Sequence, residues 1–195
     1  MAGLDRLRNF AAHAAQSIAR HGEDEAAILA DLTPALAELV ARDDFLPEAY
    51  TKPHPQYYQQ YLLYADPEEK LSIVSFVWGP GQKTPVHNHR TWGLVGILRG
   101  AELSTDYTLV DGKYVPGPTE RLEPGQVVAV SPRIGDVHQI ANAYDDQVSI
   151  SIHVYGGNIG RIKREVFIPE TGEEKLFISG YANTEIPNLW PNVTA

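Results

Sequence analysis

Two histidines one residue apart, His87 and His89, sit in the stretch KTPVHNHRTWG (residues 83–93), and a third, His138, lies in the later run GQVVAVSPRIGDVHQIAN. If VHNHR is extended, strand alternation places His87 and His89 on one face and Asn88 on the other, so two imidazoles can share one cation. A lone His-x-His is a weak signal, because histidines also meet at strand ends by chance. The chain contains no cysteine. Disulfides, thiolate ligands and a cysteine nucleophile are therefore excluded, and any metal site must be built from His, Asp, Glu or Tyr.

A second group lies in VSISIHVYGG (residues 148–157), where Ser151, His153 and Tyr155 fall at alternate positions with Ile150, Ile152 and Val154 between them. In a strand the three polar groups share one face. A hydroxyl, an imidazole and a phenol in line can pass a hydrogen bond from Ser151 through His153 to Tyr155 and aim the phenol at a metal. The bland alternative is the solvated face of an antiparallel strand.

The elements that must position these groups show in the change of period along the chain. From Leu4 to Ile18, apolar residues at Leu4, Leu7, Phe10, Ala11, Ala14 and Ile18 are spaced three and four apart, which predicts an amphipathic helix, and Asp24 to Leu32 continues helically. Thr33 followed by Pro34 predicts an N-cap and first helical position for a further helix to about Arg42. From Leu71 the period becomes two. LSIVSFVWGPG, WGLVGILRGAEL, STDYTLVDGKYV, QVVAVSP and VSISIHVYGG predict strands separated by Gly, Pro, Asp and Asn, with a hairpin at Asp111-Gly112. No long helix separates these runs, which excludes a doubly wound parallel sheet and predicts an antiparallel β body preceded by helices.

The 195 residues suit one domain with a sizeable core. The expected division is a helical N-terminal part, residues 1–66, then a β-barrel and C-terminal extension, residues 67–195. A net charge of −9 and the lack of any Lys/Arg run argue against a nucleic-acid partner. The first thirty or so residues carry charges every few positions, unlike a signal peptide or an 18-residue membrane span, so a cytoplasmic protein without a membrane partner is expected. A monomer and a small homo-oligomer both remain open.

The glycines around the histidines carry a resemblance. Gly81, His87, His89, Gly93 and Gly100 read G-x5-H-x-H-x3-G-x6-G, and Gly125, Pro132, Gly135, His138 and Asn142 make a second glycine-punctuated strand with its histidine. The pair resembles the two signature motifs of the cupin superfamily, although the second is one residue longer than usual on each side of its proline. The resemblance implies a mainly β fold, a cupin jelly-roll β-barrel with the N-terminal α-helices packed against it, and a metal held by His87, His89 and His138. Cupins generally offer a glutamate ligand where this chain has Gly93. Three neutral histidines leave a divalent charge uncompensated, which favours an anionic substrate, but imidazole alone does not choose among iron, zinc, copper and nickel.

Three histidines, no glutamate and a Ser-x-His-x-Tyr strand together resemble the thiol dioxygenases, the cysteine dioxygenase family of cupins, over roughly residues 56–165. That resemblance implies one Fe(II) per chain, a small thiol carrying a carboxylate and O2 as the reactants, and a sulfinate as product, with Ser151, His153 and Tyr155 as the line to the substrate. Mammalian-type members carry a crosslinking cysteine at the place of Gly93 and hold the carboxylate with an arginine in a YTRNL-like stretch. Here that stretch is YQQYL, with Gln60 at the arginine's place. Both changes resemble the bacterial branch that oxidises 3-mercaptopropionate, in which a downstream arginine, matched here by Arg164, is implicated in the carboxylate contact. By residue type alone Arg90, Arg99, Arg133 and Arg161 are equal candidates. L-cysteine, cysteamine and mercaptosuccinate are the alternative thiols. Other cupin metalloenzymes, such as sugar-phosphate isomerases, usually need the missing glutamate, and a non-catalytic ligand-binding cupin needs no Ser-His-Tyr line.

Overall fold

The computed structural model describes residues 2–190; residue 1 and residues 191–195, the end of the expected C-terminal extension, lie outside the described residues. Helix α1 (Ala2–His21) buries Leu7, Phe10 and Ala14, and α2 (Glu25–Val40) buries Ile28, Leu32, Leu36 and Leu39. Asp24 starts α2: its carboxylate accepts the Ala27 N–H at 3.1 Å, satisfying one of the donors that a helix start leaves free. The start expected at Thr33-Pro34 does not occur. Thr33 turns its hydroxyl back to the Leu29 carbonyl at 2.7 Å, and Pro34 sits inside the helix. A proline there costs about 3 kcal/mol, whereas each buried Leu or Ile side chain gains about 1.5–3 kcal/mol, so the one continuous apolar face wins.

Eleven strands follow among the described residues: β1 (Gln59–Ala65), β2 (Ser72–Trp78), β3 (Val86–His87), β4 (Gly93–Arg99), β5 (Glu102–Val110), β6 (Lys113–Leu122), β7 (Val127–Val130), β8 (His138–Asn142), β9 (Ser149–Tyr155), β10 (Arg164–Ile168) and β11 (Glu173–Phe177). They form a five-stranded sheet, β1-β2-β9-β4-β7, and a six-stranded sheet, β11-β10-β3-β8-β5-β6. Every pairing between these strands is antiparallel. The result is a cupin-type jelly-roll, or double-stranded β-helix, with two N-terminal helices. In the β5–β6 hairpin Asp111 and Gly112 both take positive φ, 49° and 76°, as a two-residue turn of matching twist requires.

The helices lie on the outer face of the five-stranded sheet. Leu32, Leu36 and Phe10 join one cluster with Ile73, Val77, Leu94, Ile150, Ile152 and Val154. The alternate residues of β2 and β9 point the other way, into the barrel, so β2 and β9 are buried along their whole length on both faces. The row Ser151, His153 and Tyr155 is therefore interior rather than a solvated face.

Three expectations need correction. The helical part ends at Val40 and a 3-10 turn, Glu48–Tyr50; residues 59–65, expected within it, are the edge strand β1. A register shift between Leu62 and Tyr64 breaks the period-two pattern that would mark a strand. His138 opens a new strand, β8, instead of ending the strand that begins near Gly125, because Gly135 at φ 138° and the Ser131–Gly135 bridge turn the chain between them. VHNHR is strand only through His87. No described helix is long and apolar enough to cross a membrane.

If α2 holds the sheet through its apolar face, Leu32→Ala should lower the unfolding free energy by about 2–5 kcal/mol in a denaturant titration. A change within half a kcal/mol would show the helices to be an accessory of the barrel.

Candidate metal centre

His87 sits in β3 directly opposite His138 in β8 and Val166 in β10. His89 lies beyond the strand, where Arg90 takes φ 59°, and a carboxylate rather than the sheet brings it back. Asp136 Oδ1 accepts the His89 backbone N–H at 3.0 Å and faces its Nδ1 at 2.9 Å, while Oδ2 accepts the Arg90 N–H at 3.0 Å. On the other side, buried Glu165 accepts from Asn88 Nδ2 at 2.8 Å and Arg90 Nε at 2.7 Å. The loop is clamped from both sides. The three imidazole centroids end 4.8–4.9 Å apart, and one ligand atom from each falls within 4.8 Å of the others.

The donor set fits a divalent metal. Burial, followed by the charges of neighbouring histidines, holds His87 and His138 well below the usual histidine range. Burial lowers His89 as well, with Asp136 pulling the other way. Neutral imidazoles with free ring nitrogens are what a metal requires. His87 Nδ1 faces the Pro85 carbonyl at 3.1 Å, so in both His87 and His89 the bonding assigns the proton to Nδ1 and leaves Nε2 as the ligand atom.

The β9 row stands beside them. Ser151 Oγ lies 2.8 Å from His153 Nε2, and His153 Nδ1 lies 2.8 Å from the Tyr155 hydroxyl. Trp78 Nε1 donates to Ser151 Oγ at 3.3 Å, and Phe76 stacks on His153 at 4.0 Å. The Tyr155 ring lies 5.6 Å from that of His89, and burial raises its phenol far above the ordinary value. Gly93 makes room for that ring. A Cβ at 93 would stand 2.7 Å and 2.8 Å from Tyr155 Cδ1 and Cε1 and 3.1 Å from Val130 Cγ2, so a glutamate there and the phenol where it stands exclude one another.

Arg164, Gln60, Tyr155, His153 and the three histidines line one small cavity of about 20 Å³, together with Tyr58, Phe76, Trp78, Ile140 and Phe177. Arg164 is 3% exposed; one terminal nitrogen donates to Ser179 Oγ at 2.8 Å, its guanidinium lies 4.6 Å from the Phe177 ring, and Nε has no partner among the described residues. Gln60 spends its amide on Ser179 Oγ at 3.1 Å and the Gly180 carbonyl at 2.7 Å, bracing the segment that Arg164 also holds. The other candidate arginines each pair with a carboxylate elsewhere: Arg90 with Glu165, Arg99 with Asp43, Arg133 with Glu25 and Arg161 with Glu69.

The sequence reading missed Asp136, Glu165 and Ser179. Asp136 carries a usable signal, a carboxylate two positions before a ligand-type histidine. Glu165 and Ser179 carry none.

No family model matches the chain. Among solved structures it is similar to an uncharacterized conserved protein with a double-stranded beta-helix domain from Klebsiella pneumoniae, at 20% identity over 58% of this chain and 89% of that one, TM-score 0.43. It is also similar to an RmlC-like cupin protein from Desulfovibrio desulfuricans (23% identity, 59% and 95% coverage, TM-score 0.41) and to an oxalate oxidase in complex with glycolate (18% identity, 60% and 61% coverage, TM-score 0.45). None of these likenesses bears on the chemistry of the site.

Two substitutions test the centre. His138→Ala should abolish stoichiometric metal in the folded protein by elemental analysis, and full retention would remove His138 from the ligand set. Asp136→Asn should weaken metal affinity about 10–100-fold in a chelator competition, the usual cost of losing the group that orients a ligand histidine.

Proposed function

We propose that this chain is a non-haem Fe(II) thiol dioxygenase that converts a small thiol bearing a carboxylate into its sulfinate, with 3-mercaptopropionate to 3-sulfinopropionate the best fit. The observation that carries the reading is Arg164, a buried guanidinium with no carboxylate partner among the described residues, in the same cavity as three neutral imidazoles and a phenol. Burial pulls Arg164 below its ordinary value, yet a guanidinium stays protonated at neutral pH. A dry, unpaired cation is costly unless an anion joins it. The substrate carboxylate supplies that anion and can take two N–H bonds at once.

Fe(II) bound by His87, His89 and His138 would supply a redox-active centre able to bring a thiolate and O2 together. Both oxygen atoms end on sulfur, the thiolate is oxidised to a sulfinate, and no external reductant is consumed. Arg164, braced by Ser179, would set the far end of the substrate so that its sulfur faces the histidines. Tyr155, held by His153, would offer its hydroxyl at the reacting end, and Phe76, Trp78 and Ile140 would keep water out.

The lining also ranks the thiols. Among the described residues no carboxylate lines the cavity, so the ammonium of L-cysteine or cysteamine would find no counter-charge. Arg164 is the one arginine or lysine there, which leaves the second carboxylate of mercaptosuccinate unpartnered.

The test is oxygen uptake by the Fe(II)-loaded protein against these four thiols, with the product identified by mass. The expected result is uptake and sulfinate with 3-mercaptopropionate and little with cysteamine; no uptake with any thiol would defeat the proposal. Arg164→Ala should lower kcat/KM by roughly 30-fold or more, matching the 2–5 kcal/mol typical of truncating a buried charge pair. Tyr155→Phe should retain iron and lose turnover, and unchanged steady-state kinetics would remove Tyr155 from the chemistry.

A further inference from the structure

Asp136 holds the His89 ring and the backbone N–H groups of His89 and Arg90, so its own placement decides where His89 points. On its C-terminal side the chain is fixed at once: the Val137 carbonyl accepts the Tyr107 N–H at 2.8 Å, and His138 pairs with Asp106 of β5. On its N-terminal side stands a loop, residues 131–135, that closes on itself. The Ser131 N–H donates to the Gly135 carbonyl at 3.0 Å, and the Gly135 and Ile134 N–H groups donate to the Ser131 carbonyl at 2.9 and 3.1 Å. Ser131 Oγ accepts the Arg133 N–H at 3.0 Å. These bonds set the shape of the loop; its position needs a bond to something outside it.

That bond comes from α2. Ser131 is fully buried, and its hydroxyl donates to the carboxylate of Glu25, the first residue of α2, 106 positions away. A glutamate in a first helical turn ordinarily faces water and serves the helix alone. Here Asp24 already caps the helix through the Ala27 N–H, and the Glu25 side chain is turned inward, only 13% exposed, with its second oxygen 3.8 Å from Arg133 Nε. Both of its contacts are thus with the loop. A hydroxyl donating to a carboxylate makes a bond roughly twice as strong as one between neutral groups, and the start of a helix favours the negative charge that makes it.

We propose that Glu25 is a positioning residue for the metal centre: through Ser131 it fixes the loop, the loop fixes Asp136, and Asp136 sets His89 toward the metal. Every link is a hydrogen bond between named groups or the peptide bond from Gly135 to Asp136. The proposal rests on the three-histidine metal site and not on the thiol chemistry. A bond that merely added stability would weaken the fold as a whole and leave the metal affinity of the folded chain unchanged. A positioning bond acts on what Asp136 holds.

The test uses the full chain and needs no thiol. In chelator competition for Fe(II) under nitrogen, Glu25→Ala should weaken affinity by about 10-fold, the low end of the usual loss when a ligand histidine loses its support. Glu25→Gln, whose amide oxygen still accepts the Ser131 hydroxyl, should recover most of it. With Asp136→Ala already in place, adding Glu25→Ala should cost less than about twofold more, because residues acting along one route do not add. In the metal-free chain, hydrogen exchange at the His89 and Arg90 amides should quicken in Glu25→Ala while the amides of β9 keep their wild-type rates. Ser131→Ala removes the same bond from its other end and should repeat the pattern, which keeps the test open if one variant fails to fold. Wild-type affinity in both variants, or a loss that adds in full to that of Asp136→Ala, would overturn the proposal and leave the dioxygenase reading standing. A chain that follows the pattern yet consumes no oxygen with any thiol would do the reverse.

Discussion

The constraint on which the site depends is the burial of β9 on both faces. One row, Ile150, Ile152 and Val154, packs under the helices, and the other, Ser151, His153 and Tyr155, fills the barrel, with every residue of the strand buried. A polar group kept from water must find its partner inside the protein or cost about 1–3 kcal/mol. Spaced two apart on a strand, the hydroxyl, imidazole and phenol are close enough to satisfy one another, and they do so at 2.8 Å in each step. The helices thus matter to the site without touching it, because they cover the strand's other face.

The same economy of space explains the metal side. Gly93 lies opposite Tyr155 in the β4–β9 pairing, and the phenol ring occupies the volume that any side chain at 93 would need. The missing glutamate and the inward tyrosine are one packing choice. Negative charge reaches the centre indirectly, through Asp136 behind His89, which orients the ring without joining the ligand set. The cavity is then left with neutral imidazoles and a lone guanidinium, an electrostatic setting made for an anion.

What the sequence made legible follows from how local each signal is. The alternation of β2, β4 and β9, the Asp111-Gly112 hairpin and the histidines at 87, 89 and 138 are local patterns, and the structure brings those three histidines together. The shared face of Ser151, His153 and Tyr155 was legible for the same reason, but not that this face is dry, which depends on helices far away in sequence. Pro34 misled because a burial pattern spanning sixteen residues outweighed a strong local signal. Strand β1 was hidden by its irregular register. The candidates for a buried cation could be separated only in three dimensions, where Arg90, Arg99, Arg133 and Arg161 each meet a carboxylate and Arg164 meets none among the described residues. Glu165 acts across gaps of 75 and 77 residues, beyond the reach of any motif, and Asp136, 46 and 47 residues from the groups it holds, shows in sequence only by its place two positions before His138.

The central claim is that the three histidines and Arg164 hold the two ends of one small anionic thiol. Its most direct test is a crystal structure of the metal-loaded protein soaked with 3-mercaptopropionate in the absence of oxygen. The account predicts sulfur on a metal held by His87, His89 and His138, and the carboxylate on the Arg164 guanidinium. A metal held by other residues, or a thiol bound with its carboxylate away from Arg164, would contradict it.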